Sequence, residues 1–190
     1  MGKFIVLEGL DGVGKSTLAQ GVAQSLGGVL ASTPGTEFAS VRGDILQALK
    51  HDQLGKALFY AATVSLQGRI ATEQARHGGT VVMDRYWAST VAYARARGVT
   101  ADLDALTPSF AKPDITVLIT LDESQRVTRL KRRGATAEDI ETLCPAFQAT
   151  VMQVLLAHCT VSVDVTGLDQ QEATAKVADA IAGSTCYTAV

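Results

Sequence analysis

Residues Lys3 to Thr17 read KFIVLEGLDGVGKST, and this stretch decides the fold. The apolar run Phe4 to Leu7 predicts a buried strand, and the amphipathic stretch Thr17 to Leu26 predicts a helix directly after it. Between them lies Gly9-x-x-x-x-Gly14-Lys15-Ser16, the pattern of a phosphate-binding loop, in the order of strand, glycine-rich turn and helix that such a loop requires. The sequence therefore predicts a site for a nucleoside triphosphate.

The residue types of this loop suit a polyphosphate. Glycines let the backbone bend around the phosphates, so that successive N–H groups point at their oxygens. The first turn of the following helix adds N–H donors and the positive end of the helix dipole. Lys15 brings a mobile positive charge to the outer phosphates, and the Ser16 hydroxyl is placed to bind Mg²⁺. The residues predicted to bind the nucleotide are Gly9, Gly12, Val13, Gly14, Lys15, Ser16 and Thr17.

The bulk composition is that of a globular chain. Of its 190 residues, 47% are hydrophobic and 19% are charged, so one domain over residues 1–190 can bury a substantial core. The formal net charge is −2, which gives no general attraction to nucleic acid or to an anionic membrane. We therefore expect neither nucleic acid nor a membrane as a partner.

The cysteine pattern indicates a reducing compartment. Cys144, Cys159 and Cys186 are widely spaced without a metal-binding pattern, and their odd number argues against a disulfide framework. The N-terminus leads directly into the first strand, so we expect no signal peptide. No apolar run approaches the length needed to span a bilayer. Together these features predict an enzyme of the cytoplasm.

Strand-like and helix-like segments alternate along the chain. Strands are predicted at residues 4–7, 28–31, 80–83, 114–121 and 160–165. Helices are predicted at residues 17–26, 41–49, 53–77 and 170–182, with further helices that end at about residues 96, 133 and 158. This alternation predicts an α/β fold, a five-stranded parallel sheet with helices on both faces in a single domain.

Ligands of such sheets gather at the carboxyl ends of the strands. Three strand ends are therefore expected to form the site, namely residues 8–16, 32–36 and 84–86. The strand that ends at Asp84 is expected to lie beside the phosphate loop. There Asp84 can orient Mg²⁺ through water, and Arg85 can bridge donor and acceptor phosphates. The alternative is a surface ion pair that caps the strand, although charged residues beside a phosphate loop favour a site.

Several segments resemble the thymidylate kinases. They are FIVLEGLDGVGKST at the phosphate loop, the turn Thr33–Thr36, LFYAA at Leu58–Ala62, VVMDRYWASTVAY at Val81–Tyr93 and KPDITVLITLD at Lys112–Asp122. The phosphate loop is common to many nucleotide-binding proteins, so DRYWASTVAY together with LFYAA is the more specific part. The resemblance covers most of the chain and implies a P-loop kinase fold with a short lid at about residues 131–141. It also implies an ATP- and Mg²⁺-dependent kinase that converts dTMP to dTDP and forms a homodimer.

The resemblance further implies roles for individual residues. Lys15 and Ser16 would hold the ATP phosphates and magnesium, with Asp84 as the second metal residue. The catalytic residues would be Lys15, Asp11 and Arg85, of which Arg85 would act on the transition state. The acceptor would be bound by Asp11, Arg42, Phe59, Thr63, Arg85 and Tyr93, with Phe59 stacked on the base. Arg129 and Arg133 would approach ATP, and Lys131, Arg132 and Arg133 would stand at the base of the lid.

Three positions depart from the family pattern. Ser32, Thr63 and Asp139 stand where the family usually has an arginine. Losing a charged hydrogen bond costs on the order of 1.5–3 kcal/mol, so two losses at the acceptor site could reduce the use of dTMP by roughly a hundredfold or more. Either Arg69, Arg76 or a main-chain shift compensates, or the enzyme phosphorylates a different nucleotide or a metabolite of a specialised pathway. A nucleotide-binding protein with little kinase activity is the third alternative.

Other features carry weaker predictions. A regulatory GTPase would need Asn-Lys-x-Asp after a later strand, whereas the chain reads Thr120-Leu121-Asp122 there. The basic run Arg126–Arg133 is expected to form a solvated helix face beside the lid, and Trp87 is expected to pack in the core. An acceptor phosphate oxygen needs no general base, but Asp11 becomes the candidate base if the acceptor is a hydroxyl group.

Overall fold

A computed structural model describes residues 2–184, so the predicted free thiol of Cys186 lies outside the described residues. The sheet has five parallel strands, which are β1 (Phe4–Glu8), β2 (Val29–Ser32), β3 (Val81–Asp84), β4 (Ile115–Thr120) and β5 (Val161–Asp164). Each strand agrees with its predicted segment to within about one residue at each end, as apolar runs between turns allow. The predicted α/β fold class is therefore confirmed.

The strand order is β2-β3-β1-β4-β5, which places β1 at the centre of the sheet. In the register of the sheet, Leu7 of β1 lies opposite Asp84 of β3 and Val117 of β4. The carboxyl ends of β1 and β3 therefore meet at the same edge. This brings the loop that follows Glu8 next to the Asp84-Arg85 pair, and the prediction that these two strands are neighbours is confirmed.

Helices connect the strands. They are α1 (Lys15–Ser25), α2 (Arg42–Ala48), α3 (Gln53–Arg76), α4 (Trp87–Ala96), α5 (Glu123–Arg133), α6 (Ala137–Glu141), α7 (Pro145–His158) and α8 (Gln170–Ser184), with short 3-10 helices at Thr36–Phe38 and Asp104–Ser109. The prediction of one helix between Gly134 and His158 is wrong, because α6 and α7 both lie in this segment. Pro145 occupies the first turn of α7, where its missing N–H is tolerated and a preceding helix cannot continue.

The sheet is covered by two groups of helices. Helix α1 packs against α8, whereas α4 packs against both α3 and α7. Strand β1 is buried along its whole length, as expected of a parallel strand with helices on both faces. Trp87 is buried against Phe110, and its Nε1 donates to Thr107 Oγ1 at 2.8 Å. The prediction that Trp87 packs in the core is confirmed.

Helix α5 corrects one expectation. The sequence predicts a solvated face for its basic residues, and Lys131 and Arg132 are exposed. Arg126, by contrast, is fully buried, because its side chain points toward the phosphate loop and bonds there. A basic run therefore does not mark the exposed face of this helix. Within residues 2–184, no helix combines the length and apolar character that crossing a membrane requires.

Candidate functional site

The loop after β1 passes close to the neighbouring strand. A Cβ added to Gly9 would lie 2.6 Å from the carbonyl oxygen of Ile119, so a side chain has no room there. Gly14, directly before α1, has a φ of 97°, a left-handed conformation that glycine adopts without strain. These two glycines let the chain turn from strand to helix. The first N–H groups of α1 have no acceptor within the helix, which makes this turn a binding place for anions.

Lys15 is buried in this loop. Its Nζ donates a hydrogen bond to the carbonyl oxygen of Leu10 at 2.7 Å. Burial, followed by the positive charge of Arg85, lowers the pKa of Lys15 to about 8, against the opposing effect of Asp11. Most of the ammonium groups therefore stay charged at neutral pH. A phosphate oxygen could take the place of the Leu10 carbonyl as the acceptor.

Ser16 and Asp84 form a pair suited to a hard cation. The Ser16 hydroxyl donates to Asp84 Oδ2 at 2.5 Å. The other carboxylate oxygen, Asp84 Oδ1, is buried and has no hydrogen-bond partner among residues 2–184. A buried carboxylate oxygen without a partner is costly. Oxygen ligands of this kind, next to a phosphate loop, fit Mg²⁺, which retains several ligands from water and phosphate.

The backbone of Arg85 adopts a strained conformation. Among residues 2–184, Arg85 is the non-glycine residue with a positive φ, at 67°. Such residues cost of order 1–3 kcal/mol and persist where the surroundings fix them. Here the Arg85 N–H donates to Leu7 O at 3.0 Å, and the Arg85 carbonyl accepts from Thr33 Oγ1 at 3.1 Å. These two bonds hold the residue between the ends of three strands.

The Arg85 side chain joins the phosphate loop to α4. Its guanidinium forms an ion pair with Asp11 and donates to Ser89 Oγ at 3.0 Å. Asp11 also accepts from the Tyr93 hydroxyl at 2.7 Å. Burial acts to raise the pKa of Asp11, but the charges of Arg85 and Lys15 outweigh it and hold that pKa well below its usual range. Asp11 is therefore a weak proton acceptor, which disfavours the role of general base toward a hydroxyl group.

Glu8 is a site residue that the sequence analysis does not assign. Its carboxylate is fully buried and accepts from the N–H groups of Tyr86 at 2.9 Å and Ser89 at 3.2 Å, and from Ser89 Oγ at 2.5 Å. Burial raises the pKa of Glu8, against its hydrogen bonds and the charge of Arg85. Glu8 thus fixes the start of α4, which begins two residues after Arg85. The signal available in the sequence is a carboxylate at the end of an otherwise apolar strand.

A cavity of about 600 Å³ opens beside these groups. Its walls are the ends of β2 and β3, together with parts of α2, α3, α4 and α6. The predicted site residues that line it are Asp11, Arg42, Asp84, Arg85 and Tyr93. Residues 32–36 and 84–86 line it as well. The three predicted strand ends therefore meet around one cavity.

Two predicted acceptor residues lie elsewhere. Phe59 packs edge-on against Phe38, with ring centroids 5.9 Å apart, and is not among the residues that line the cavity. Thr63 is fully buried, and its hydroxyl donates to the Tyr60 carbonyl at 2.8 Å. Tyr60 itself lines the cavity, where its hydroxyl accepts from Arg42 Nη2 at 3.1 Å. The aromatic residue that α3 presents to the cavity is therefore Tyr60, the neighbour of Phe59.

The positive charges of the cavity come from residues that the sequence analysis only partly anticipates. Arg42, Lys56, Arg85 and Arg97 line it. Arg97 lies over the Tyr93 ring at 5.5 Å and pairs with Glu141 at 2.7 Å. Arg69 does not line the cavity and instead pairs with Glu73 at the surface; the exposed Arg76 at the end of α3 does not line it either. The suggestion that Arg69 or Arg76 compensates for missing arginines is therefore wrong.

The basic end of α5 approaches the phosphate loop. Arg129 Nη1 donates to the Val13 carbonyl at 3.2 Å. Arg133, by contrast, donates from Nη2 to Asp139 Oδ1 at 2.5 Å. Asp139 is buried and also closes the N-terminus of α6 by accepting from the Thr136 N–H. At position 139, where the family pattern has an arginine, this chain thus has a carboxylate that binds the side chain of Arg133.

The chain is similar in sequence to known proteins. A family model described as "Thymidylate kinase" matches residues 7–181. A protein of Methanococcus maripaludis named "Probable thymidylate kinase" is 34% identical over 136 residues, which are 70% of this chain and 67% of that protein. A protein of the same name from Pyrobaculum aerophilum is 31% identical over 163 residues, or 82% of each chain.

The fold also matches solved structures. The thymidylate kinase of Candida albicans superposes with a TM-score of 0.77 at 24% identity, over 97% of this chain and 92% of that chain. At this identity the likeness shows the fold.

Proposed function

The chain belongs to the thymidylate kinase family, and we propose that it transfers the γ-phosphoryl group of ATP to dTMP to form dTDP. Enzymes of this family are ATP-dependent kinases, and this chain is one of them. The observation that carries the proposal is the position of Arg85. It is held in a strained conformation between the phosphate loop and the 600 Å³ cavity. A phosphoryl group that is transferred from ATP in the loop to an acceptor in the cavity would have to pass this position.

The donor side is the phosphate loop with α5. Lys15 binds the outer phosphates, the glycine-rich turn Gly9–Gly14 wraps around them, and Arg129 approaches from α5. Ser16 and Asp84 would hold Mg²⁺, which when bound neutralises negative charge on the phosphates. Two observations support these roles: the ammonium of Lys15 is buried, and Asp84 Oδ1 is buried without a hydrogen-bond partner in the described part of the chain.

The acceptor side is the cavity. Arg42 and Arg85 bind the acceptor phosphate, while Asp11 and Tyr93 contact its sugar. The base lies against α3, where Tyr60 faces the cavity and Phe59 and Thr63 support it from behind. Three further charged residues, Lys56, Arg97 and Glu138, also line the cavity. We infer that the positive side chains of the cavity take over the role of the arginines that the family pattern has at positions 32, 63 and 139. For this reason dTMP remains the proposed acceptor.

The chemistry needs position and charge more than proton transfer. A phosphate oxygen of the acceptor is already anionic, so no base has to be generated, in agreement with the low pKa of Asp11. Arg85 stabilises the charge that spreads over the transferred phosphoryl oxygens. The lid, residues 131–141, closes over ATP and excludes water, which would otherwise accept the phosphoryl group.

Two further features complete the proposal. We place the enzyme in the cytoplasm, where ATP is abundant and thiols such as Cys144 and Cys159 stay reduced. We also propose a homodimer through α3. Leu54 and Leu58 lie one turn apart on this helix and are 41% and 49% exposed, and exposed apolar residues in a row are typical of an interface.

The experiment is a coupled ADP-release assay with MgATP against dTMP and a panel of other nucleoside monophosphates. Rapid turnover with dTMP, at a kcat/KM well above that of the other acceptors, is the expected result. Failure with every nucleotide, while ATP still binds, would contradict the proposed acceptor. Arg95→Ala is the matched control, because Arg95 pairs with Asp104 outside the cavity and its loss should leave turnover unchanged.

A further inference from the structure

Among residues 2–184, Arg126 is the largest side chain that the fold buries completely. None of the roles proposed for the phosphate loop, the cavity and the lid involves Arg126. Burying a guanidinium in the protein interior is unfavourable unless its N–H groups have hydrogen-bond acceptors. The contacts of Arg126 therefore indicate why the chain retains a charge there.

The guanidinium of Arg126 connects three segments of the chain. Its Nη1 donates to the main-chain carbonyl of Asp11 at 2.9 Å, inside the phosphate loop. Nη1 and Nη2 donate to Thr142, the residue directly after α6, at its Oγ1 and its carbonyl, both at 2.9 Å. Nε and Nη2 also bind the Glu123 carboxylate at 2.7 Å each, at the start of the helix that carries Arg126.

The stem of Arg126 lies against the loop as well. A Cβ added to Gly12 would come within 3.1 Å of Arg126 Cγ and 2.9 Å of the Leu130 side chain. Helix α5 therefore packs directly on the loop backbone at Gly12, while Arg126 holds the carbonyl of the preceding residue. The carboxylate of that residue, Asp11, binds Arg85 and Tyr93 on the cavity side.

We propose that Arg126 is a positioning residue that fixes the phosphate loop to the segment that carries the lid. Through the Asp11 carbonyl it sets the peptide from which the Asp11 side chain reaches Arg85. Through Thr142 it anchors the chain directly behind α6, so the lid moves about a fixed end. Arg129, one turn further along α5, contacts the loop at Val13 from the same helix. Loop shape and lid position are thereby coupled by one side chain.

An arginine is required at this place rather than any cation. The planar guanidinium presents five N–H donors in fixed directions, whereas a lysine ammonium offers three donors at one point. Arg126→Lys keeps the charge and most of the apolar stem, yet it cannot reach the loop carbonyl, Thr142 and Glu123 together. The conservative variant therefore removes the simultaneous hydrogen bonds to the three segments and leaves the buried charge in place.

The test compares Arg126→Lys with the control Arg95→Lys in three measurements. They are KM for ATP and kcat, the affinity for a fluorescent ATP analogue, and the rate of tryptic cleavage after Lys131 and Arg132, with and without ATP. Each lost hydrogen bond to a charged group corresponds to a change of roughly tenfold or more in an equilibrium constant. We therefore expect about tenfold weaker ATP binding, lower kcat and about tenfold faster cleavage. ATP should slow the cleavage of the wild type far more than that of the variant.

The outcomes separate a coupling role from simple packing. A variant that melts at a lower temperature but keeps wild-type ATP affinity, kcat and protection by ATP would overturn the proposal. If Arg126→Lys does not fold, Thr142→Val removes a single acceptor and must change the same quantities in the same direction. The inference rests on the proposed function only in the measurement of kcat. Analogue binding and cleavage need no acceptor, so they still decide it if dTMP proves not to be the substrate.

Discussion

Replacing Arg85 by glycine and by alanine separates the strain of its backbone from the action of its side chain. Both substitutions remove the guanidinium and its bonds to Asp11 and Ser89. Only glycine accepts the φ of 67° without strain. Both variants should therefore lose turnover, whereas their stabilities should differ.

The magnitude follows from two opposing effects. A left-handed conformation costs a residue with a Cβ roughly 1–2 kcal/mol, and glycine loses about 0.5–1 kcal/mol through its larger freedom in the unfolded chain. The Arg85→Gly variant should thus be more stable than Arg85→Ala by about 0.5–1 kcal/mol, the reverse of the usual order. For a domain of this size the difference is up to about 4 °C in Tm. An arginine that acts on a transferred phosphoryl group contributes roughly 10³-fold or more to kcat.

The assay pairs thermal unfolding of both variants with coupled ADP release. We expect the glycine variant to melt at the higher temperature, and both variants to show a much larger fall in kcat than rise in KM for ATP. An alanine variant more stable than the glycine variant would refute the strain at Arg85. Equal losses in kcat and in ATP affinity would refute its action on the transition state.

Lys15→Ala should abolish turnover and leave the unfolding transition intact, and an active variant would contradict the loop assignment. Since the pKa of Lys15 is about 8, its charge is lost as pH rises through that value. The kcat/KM for ATP should therefore stay level to about pH 7 and fall about tenfold per pH unit well above 8; a level profile to pH 10 would argue against this. Asp84→Asn should raise the Mg²⁺ concentration needed for half-maximal turnover by about tenfold, and an unchanged requirement would remove Asp84 from the metal site. Arg97→Ala should raise KM for dTMP but not for ATP, while Arg95→Ala, two residues earlier in the chain, should change neither.

The parts of the fold that the sequence predicts well are those fixed by local spacing. The glycines of the phosphate loop have to sit at set intervals, because Gly9 meets the Ile119 carbonyl and Gly14 turns the chain into α1. The short apolar run before them, ended by the glycine-rich turn, is typical of a strand buried on both faces. Asp84 and Arg85 follow from the same logic, since the ends of neighbouring parallel strands meet at one edge.

The parts that sequence reasoning misses depend on which side of a helix packs inward. Tyr60 and Phe59 are adjacent, and only the packing of α3 decides which ring reaches the cavity. Arg126 belongs to a run of basic residues, which predicts a solvent-exposed helix face. Its side chain is nevertheless buried, because it donates a hydrogen bond to the carbonyl of Asp11 in the phosphate loop. Arg97 is one of two arginines near the end of α4, and its selection depends on Tyr93, four residues earlier, and on Glu141, at the end of α6.

The proposed role of Arg85 is to promote phosphoryl transfer from ATP at the loop to dTMP in the cavity. Its most direct test follows the label from [γ-³²P]ATP into dTDP, with wild type and Arg85→Ala side by side at saturating ATP. We expect labelled dTDP from the wild type and at least about 10³-fold less from the variant, which still binds ATP. A wild type that binds ATP but labels no dTMP, or a variant that labels it equally well, would contradict this role of Arg85.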